Sequence, residues 1–284
     1  MAELNNEKKS KAKSFWIRLA STIVLITGGG AAIYFGGWIL ALLLTAVSLG
    51  GVFELFRVFQ IHKSPFAPVT YVAVVAYNVI LYAQWTEYVL PLMIVYLLVL
   101  LTVYVFAFPK YDSRQLVSSF FPFFYVAVCL SYMEQLRQLQ HGAILTALVL
   151  VCACGNDMFA YLVGILIGKH KMFPNLSPKK SVEGFIGGIL GAALCGVGYG
   201  FIFRNVVGGG EHNFPLMFAI ICGVGALPAV VGDLAASAIK RNHDIKDYSN
   251  LIPGHGGIMD RFDSMIFTAP IIYYLVLYLL QAYI

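Results

Sequence analysis

The sequence predicts an all-α polytopic membrane protein with about nine transmembrane helices and a cytoplasmic N-terminus. Of its 284 residues, 60% are hydrophobic and only 12% are charged, whereas a soluble globular chain is about 45–50% apolar and about 25% charged. Apolar stretches of about 17–25 residues, long enough to cross a hydrocarbon core about 30 Å thick, recur along the whole chain. The Lys and Arg residues are also divided unevenly between alternate loops.

Each predicted span is an apolar run bounded by polar or turn-forming residues. The third and fifth runs are short, and the fifth carries Pro122 at its start and Glu134 near its end. One missing span would reverse the side of every later loop. The predicted spans are residues 15–35, 38–59, 69–84, 89–108, 120–135, 143–167, 182–203, 214–239 and 258–282.

The basic residues test this count independently, because cytoplasmic loops are enriched in Lys and Arg. With the N-terminus inside, the cytoplasmic side holds all of the 19 Lys and Arg residues except Arg137 and Arg204. The net charge of +5 therefore describes a basic membrane face that meets anionic lipid headgroups and phosphates. It does not require a nucleic-acid partner.

Polar content divides the chain into three regions. Residues 1–14 are lysine-rich and predict a cytoplasmic basic arm on the headgroup surface. Residues 15–140 predict an N-terminal transmembrane helical region with few polar groups inside its spans. Residues 141–284 carry most of the unusual polar groups and predict the catalytic transmembrane region, with the densest motif at residues 237–263.

Four aspartates lie inside or at the start of predicted spans in this region: Asp157, Asp233, Asp260 and Asp263. A charged residue at the centre of a membrane helix costs about 2.5–3.5 kcal/mol on insertion scales, so each is a functional candidate. Asp260 and Asp263 are three positions apart and can share one helix face. Pairing with Lys or Arg, or orientation toward the interface, is the structural alternative for each acid alone.

The run from Asp233 to Arg241 carries groups that suit a phosphate chain. Asp233, Ser237 and Lys240 or Arg241 lie at helical spacing and end at the predicted cytoplasmic surface. Carboxylate and hydroxyl oxygens are ligands for a hard divalent cation, and Lys or Arg neutralises the remaining phosphate charge.

The loop before the last span combines a basic residue with a glycine-rich turn. Lys246 precedes the His255-Gly256-Gly257 turn, which is followed directly by a helix start. Backbone N–H groups in such a turn can surround an anion, and the helix dipole favours it. The sequence therefore predicts anion binding here, with Arg261 close by.

A second polar cluster opens the seventh predicted span and contains Lys179, Lys180, Ser181 and Glu183. A capped helix start with positive-inside lysines is one interpretation. The other is that Lys179 or Lys180 binds a phosphate, while Glu183 orders a lysine or reaches a metal.

Residues 237–263 resemble the signature of the phosphatidate cytidylyltransferase family, also called CDP-diacylglycerol synthases, with no departure from it. The segments Asn156-Asp157-x-Phe-Ala-Tyr161 and 177–184 resemble other shared segments of that family, in the same order. The resemblance implies a homodimeric enzyme of phospholipid biosynthesis in the bacterial inner membrane, with its active site facing the cytoplasm. It implies condensation of CTP with phosphatidic acid to give CDP-diacylglycerol and pyrophosphate.

The resemblance also implies Mg²⁺, with a second, monovalent cation as an open alternative. It carries metal binding over to Asp233 and Asp260, with Asp263 and Asp157 as candidates for a second position or the outer shell. We expect the catalytic group to be Asp233, Asp260, Asp263 and Lys240, with the three acids also as metal ligands. The predicted substrate-binding residues are Asn156, Asp157, Lys179, Lys180, Ser181, Glu183, Ser237, Arg241, Lys246, His255, Gly256, Gly257 and Arg261.

Specific roles follow as hypotheses. The four basic residues Lys240, Arg241, Lys246 and Arg261 share the triphosphate and the lipid phosphate. The His255–Gly257 turn holds pyrophosphate, and the two lysines of the second cluster attract anionic lipid. The alternative function is another CTP-dependent lipid enzyme, a polyprenol kinase or an ether-lipid cytidylyltransferase. A transporter is disfavoured, because it predicts internal repeats and acids near the bilayer midplane.

Overall fold

The computed structural model describes residues 20–174, 176–207 and 213–281, and the arm predicted at residues 1–14 lies outside the described residues. A short antiparallel hairpin, β1 (Lys171–Phe173) and β2 (Ser177–Ser181), connects the sixth and seventh helices. The helices of the described ranges are α1 (Ala20–Phe35), α2 (Gly37–Val58), α3 (Phe66–Tyr82), α4 (Val89–Ala107), α5 (Ser113–Gln138), α6 (Gly142–Ile167), α7 (Val182–Val207), α8 (Phe214–Asn242) and α9 (Met259–Leu279).

These helices confirm an all-α polytopic membrane protein. Over the ranges that the structure describes, seven helices are long and apolar enough to cross a membrane, α4 being taken with the 3₁₀ turn Thr86–Tyr88 before it. The helices α1 and α3 are apolar but shorter. The predicted count of nine crossings and the side of the N-terminus stay predictions.

The helix α5 begins earlier than the predicted start at residue 120. Asp112 caps it: its Oδ1 accepts a hydrogen bond from the Gln115 backbone N–H at 3.0 Å, and the Gln115 side chain accepts one from Asp112 N–H at 3.1 Å. Pro122 therefore lies inside the helix, where it lacks a donor and crowds the preceding turn. A π-helical segment, Phe123–Val128, follows it, a widening that accommodates such a disruption.

The helices α6, α7, α8 and α9 pack together, and small residues let them approach closely. A Cβ atom added at Gly188 of α7 would lie 2.6 Å from the Asn156 side-chain oxygen of α6. A Cβ atom added at Gly232 of α8 would lie 2.4 Å from the Asp263 carbonyl oxygen of α9. Both contacts adjoin the predicted polar residues, so glycine packing brings those residues close to one another.

The hairpin between α6 and α7 was not predicted from the sequence. Lys171 pairs with Ser181, and Phe173 pairs with Ser177. The run 177–181 contains a proline and two lysines, which do not alternate with apolar residues as in a half-buried strand. The hairpin places its lysines beside α8, at the same end of the helices as the loop between α8 and α9.

Candidate active site

A polar cavity of about 230 Å³ opens between α6, the hairpin, α7 and α8. It brings together predicted substrate-binding residues and the predicted catalytic residue Asp233, which are far apart in sequence. Its polar lining consists of Asn156, Asp157, Tyr161, Lys179, Lys180, Ser181 and Asp233.

Lys180 and Asp233 form an ion pair at the wall of this cavity. The Lys180 Nζ lies 2.5 Å from the Asp233 Oδ2, and both side chains are about one third exposed or less, at 28% and 31%. The Ser237 hydroxyl donates to the other Asp233 oxygen at 3.4 Å, one helical turn away. The carboxylate and hydroxyl of the predicted line therefore lie together, but the cation beside Asp233 is the hairpin Lys180, whereas Lys240 pairs with Asp260.

Asn156 and Asp157 form the α6 side of the cavity. The Asn156 amide donates to the Asp157 Oδ1 at 3.2 Å. The Asn156 side-chain oxygen, Oδ1, is buried and makes no hydrogen bond among the described residues. This oxygen faces Gly188 of α7, and an unsatisfied buried acceptor costs about 1–3 kcal/mol.

Carboxylates from three helices converge near this cavity. Asp157 of α6, Asp233 of α8 and Asp263 of α9 are close enough to repel one another electrostatically, while Lys180 and Lys240 oppose that repulsion. Asp263 Oδ1 accepts from the Ser264 backbone N–H at 2.7 Å. The arrangement concentrates negative charge that a cation would neutralise.

Asp260 has different partners from Asp263. Its Oδ1 lies 2.7 Å from the Lys240 Nζ, and the side chains of this pair are 5% and 15% exposed. Its Oδ2 accepts from the backbone N–H groups of Tyr248 and Gly257, both at 2.9 Å. Asp260 thereby joins the middle of the loop between α8 and α9 to the end of the loop that precedes α9.

Tyr248 fixes the same loop to α8. Its hydroxyl donates to the Ala236 carbonyl oxygen at 2.9 Å, and the Lys240 ammonium lies 5.4 Å from the centre of its ring. Burial is the largest cause that raises the pKa of the Tyr248 phenol. The phenol therefore stays neutral and acts as a donor.

The residues fit a magnesium ion in part. Among the described residues, no three His, Cys, Asp or Glu side chains are arranged to hold a metal ion together. Mg²⁺ is commonly bound by one or two carboxylates, several waters and substrate phosphates, so it does not need such a cluster. Asp233 and Asp263 supply oxygens of the right kind. Because Asp233 and Asp260 are each paired with a lysine, Mg²⁺ can reach them only beside or in place of the Lys180 and Lys240 ammonium groups.

The His255–Gly257 turn is divided between two sites: Gly256 and Gly257 lie beside Asp260 and Glu54, whereas His255 lines a different cavity. His255 Nε2 is 3.1 Å from the Thr22 hydroxyl of α1, and the Arg261 Nε donates to the His255 carbonyl oxygen at 2.8 Å. His255 and Arg261 line an apolar cavity of about 510 Å³ between α1, α2, α5, α6 and α9. They are not part of the lining of the polar cavity around Asp233.

The other predicted residues have local roles or are exposed. The Ser181 hydroxyl accepts from the Gly184 N–H at 3.1 Å and so caps the start of α7. Glu183 accepts from the backbone N–H groups of Lys169 and His170 at 3.1 and 3.2 Å, which fixes the hairpin. Arg241 and Lys246 are exposed at and after the end of α8.

Sequence reasoning missed Glu54 of α2. This residue is 1% exposed, and it accepts from the Ser249 hydroxyl at 2.5 Å and from the N–H groups of Ile258 and Met259, both at 2.9 Å. An acid inside an apolar run is a functional candidate by default. Glu54 lies inside the predicted span 38–59, but it was not among the predicted site residues.

The fold and the cavity define an α-helical membrane protein whose acids and lysines meet at one end of its helices. The chain belongs to the cytidylyltransferase family, whose family model matches residues 16–279. The resemblance inferred from residues 237–263 is thereby confirmed, and the family match extends over the N-terminal helices as well.

Curated relatives have more specific names. The phosphatidate cytidylyltransferase of Bacillus subtilis (strain 168) is 38% identical over 155 residues, which cover 53% of this chain and 54% of the relative. The phosphatidate cytidylyltransferase of Aquifex aeolicus (strain VF5) is 37% identical over 177 residues, which cover 61% and 62%. The chain thus spans about half to three fifths of the length of these relatives.

Proposed function

We propose that this chain is a phosphatidate cytidylyltransferase, which condenses CTP with phosphatidic acid to give CDP-diacylglycerol and pyrophosphate. The observation that carries the proposal is the convergence of Asp157, Asp233 and Asp263 with Lys180 and Lys240. The names of the relatives support it.

The proposed reaction is an in-line attack by a phosphatidate phosphate oxygen on the α-phosphorus of CTP. The new P–O bond forms as the bond to pyrophosphate breaks, so no side-chain nucleophile is needed. Both reactants are polyanions, and catalysis comes mainly from positioning and electrostatic stabilisation. Lys180 and Lys240 supply positive charge for the phosphates, while Ser237 and Asn156 offer hydrogen bonds.

Asp233 and Asp263, with Asp260 beside Lys240, would hold Mg²⁺ in this proposal. The ion would neutralise phosphate charge when bound. The lysines already paired with Asp233 and Asp260 would become available to the substrates when those carboxylates bind a cation. A second, monovalent cation is also part of the proposal and would use the fourth acid, Asp157.

The apolar cavity suits the lipid substrate. An acyl chain would occupy its aliphatic interior, and the guanidinium of Arg261 would pair with phosphate at the rim. The buried Nδ1 of His255 has no hydrogen-bond partner among the described residues and would serve the same headgroup. His255 therefore suits the lipid better than the pyrophosphate role inferred from sequence.

The placement in the cell is also a proposal. CTP is water-soluble and phosphatidate stays in the leaflet, so a polar cavity at the cytoplasmic interface of the bacterial inner membrane would serve both. Nine crossings with the N-terminus inside would put the hairpin lysines and Lys246 on that side. We further propose a homodimer, on the resemblance alone.

The test uses the full chain, purified in detergent and mixed with CTP labelled in the cytosine, phosphatidate and Mg²⁺. We expect a chloroform-soluble cytidine product and one pyrophosphate per product. Omission of phosphatidate is the control. Release of CDP with a phosphorylated lipid would instead indicate a kinase, and absence of both products would refute the proposal.

A further inference from the structure

The loop between α8 and α9 is closed at its base by two carboxylates from different helices. Asp260 of α9 accepts from the N–H groups of Tyr248 and Gly257. Glu54 of α2 accepts from the Ser249 hydroxyl and from the Ile258 N–H. The two acids thus bridge residues 248–249 to residues 257–258 at neighbouring positions.

Glu54 also caps the first turn of α9. The first N–H groups of a helix have no partner within the helix, and Glu54 accepts from Met259 N–H at 2.9 Å with its second oxygen. A carboxylate at a helix N-terminus is favoured by the helix dipole. Its hydrogen bonds are charge-assisted and therefore directional and short.

The space around Glu54 is matched to its carboxylate. A Cβ atom added at Gly257 would lie 2.6 Å from both Glu54 oxygens. Only glycine at this position leaves room for the carboxylate to reach the backbone. Glu54 is 1% exposed, so water does not replace these contacts readily.

We infer that Glu54 is a positioning residue for the nucleotidyl transfer. From α2 it fixes the start of α9, and therefore the placement of Asp260 and Asp263 relative to Asp233 and Lys240. This inference rests on the proposed function. It assigns the N-terminal helices a part in the site that residues 141–284 were expected to form alone.

The main variant is Glu54→Gln, which keeps the size of the side chain. The glutamine side chain has one acceptor oxygen and one donor NH₂ group, whereas all three partners of Glu54 are donors. At least one of these hydrogen bonds is therefore lost. The matched control is Glu134→Gln, because Glu134 is also buried in an apolar helix, at 4% exposure, but does not contact the loop between α8 and α9 in any described hydrogen bond.

Two measurements separate positioning from simple stability. In the absence of substrates, hydrogen exchange of the amides of residues 257–259 should be faster in Glu54→Gln, with α7 unchanged. In the cytidylyltransfer assay its kcat should fall about 10- to 100-fold, with KM for CTP nearly unchanged. The control should match wild type in both measurements.

A second variant, Ser249→Ala, removes one contact of Glu54 without adding a donor. It should lower kcat less than Glu54→Gln does, and it should have little further effect in the double variant, because the two residues act through one contact. Additive losses would contradict the shared role.

The outcomes distinguish the two proposals. An active wild type with wild-type kcat in Glu54→Gln would overturn the inference alone. A kcat loss that follows the loss of folded protein, with faster exchange in every helix, would also overturn it. A folded wild type that forms no cytidylylated lipid would overturn the proposed function, and the positioning role with it.

Discussion

Asp260 and Asp263 were predicted to act together, but their contacts predict different consequences when each becomes asparagine. Asp260 accepts hydrogen bonds from one ammonium and two backbone N–H groups. In Asp260→Asn, the new amide would direct an N–H group at one of these donors and leave the Lys240 ammonium without its partner. Removal of one member of a buried ion pair costs about 3–5 kcal/mol. Since Lys240 keeps 15% exposure, we expect about 3 kcal/mol of lost unfolding free energy.

Asp263→Asn should behave oppositely in stability. The Asp263 carboxylate is repelled by Asp233 and Asp157, and the substitution relieves that repulsion. An asparagine oxygen can still accept from the Ser264 N–H. We therefore expect unfolding free energy equal to or slightly above that of wild type. Because the proposed cation loses a ligand, turnover should fall by about 10²-fold or more.

The assay compares both variants with wild type in the same detergent. Denaturant- or heat-induced unfolding gives stability, and the labelled-CTP assay gives turnover per folded molecule. The reasoning predicts that Asp260→Asn loses both stability and turnover, whereas Asp263→Asn loses turnover alone. Equal stability of the two variants, or a less stable Asp263→Asn, would refute the assignment of the loop contacts to Asp260.

Four further outcomes are expected. Lys180→Met should lower kcat by about 10-fold or more, whereas Lys179→Met should change kcat by less than about fivefold. Lys179 is exposed on β2, and one surface lysine near anionic lipid contributes about 1 kcal/mol. Equal effects of the two variants would contradict a role for the Lys180–Asp233 ion pair. Gly257→Ala should displace Glu54 and accelerate exchange of the same amides as Glu54→Gln, and unchanged exchange would contradict the steric argument. Val151→Trp, in the lining of the apolar cavity, should raise KM for long-chain phosphatidate relative to a short-chain analogue while KM for CTP stays constant; a parallel rise in all three would contradict the acyl-chain assignment. Chelation of divalent ions should abolish turnover reversibly, with activity restored by Mg²⁺, and persistent activity would contradict the proposed cofactor.

The helices could be predicted largely from apolar runs, because a membrane helix must be apolar over its whole length. Their ends could not be predicted as well. The start of α5 depends on the Asp112 capping box, which brings the mostly polar residues 113–119 into the helix before the apolar run at residue 120. A search for apolar stretches gives no weight to such a start.

The candidate site was predicted at the level of residue types and only partly at the level of geometry. Neighbouring positions on a helix point in different directions, so the adjacency of Asp260 and Arg261 in sequence does not place them in one cavity. The structure directs Asp260 to the loop and Arg261 to the apolar cavity. The contacts of Glu54 could not be predicted, because its partners are about 200 positions later in the chain and periodicity carries no information over that separation.

That separation has a consequence for biosynthesis. Glu54 and Met259 are 205 positions apart, and a ribosome adds about 5–20 residues per second. After α2 leaves the ribosome, about 10–40 s therefore pass before the start of α9 emerges. Until then Glu54 lies within an apolar helix without the backbone N–H groups of Ile258 and Met259 that later donate to it. The contacts of Glu54 therefore form late in synthesis, because they require the emergence of α9.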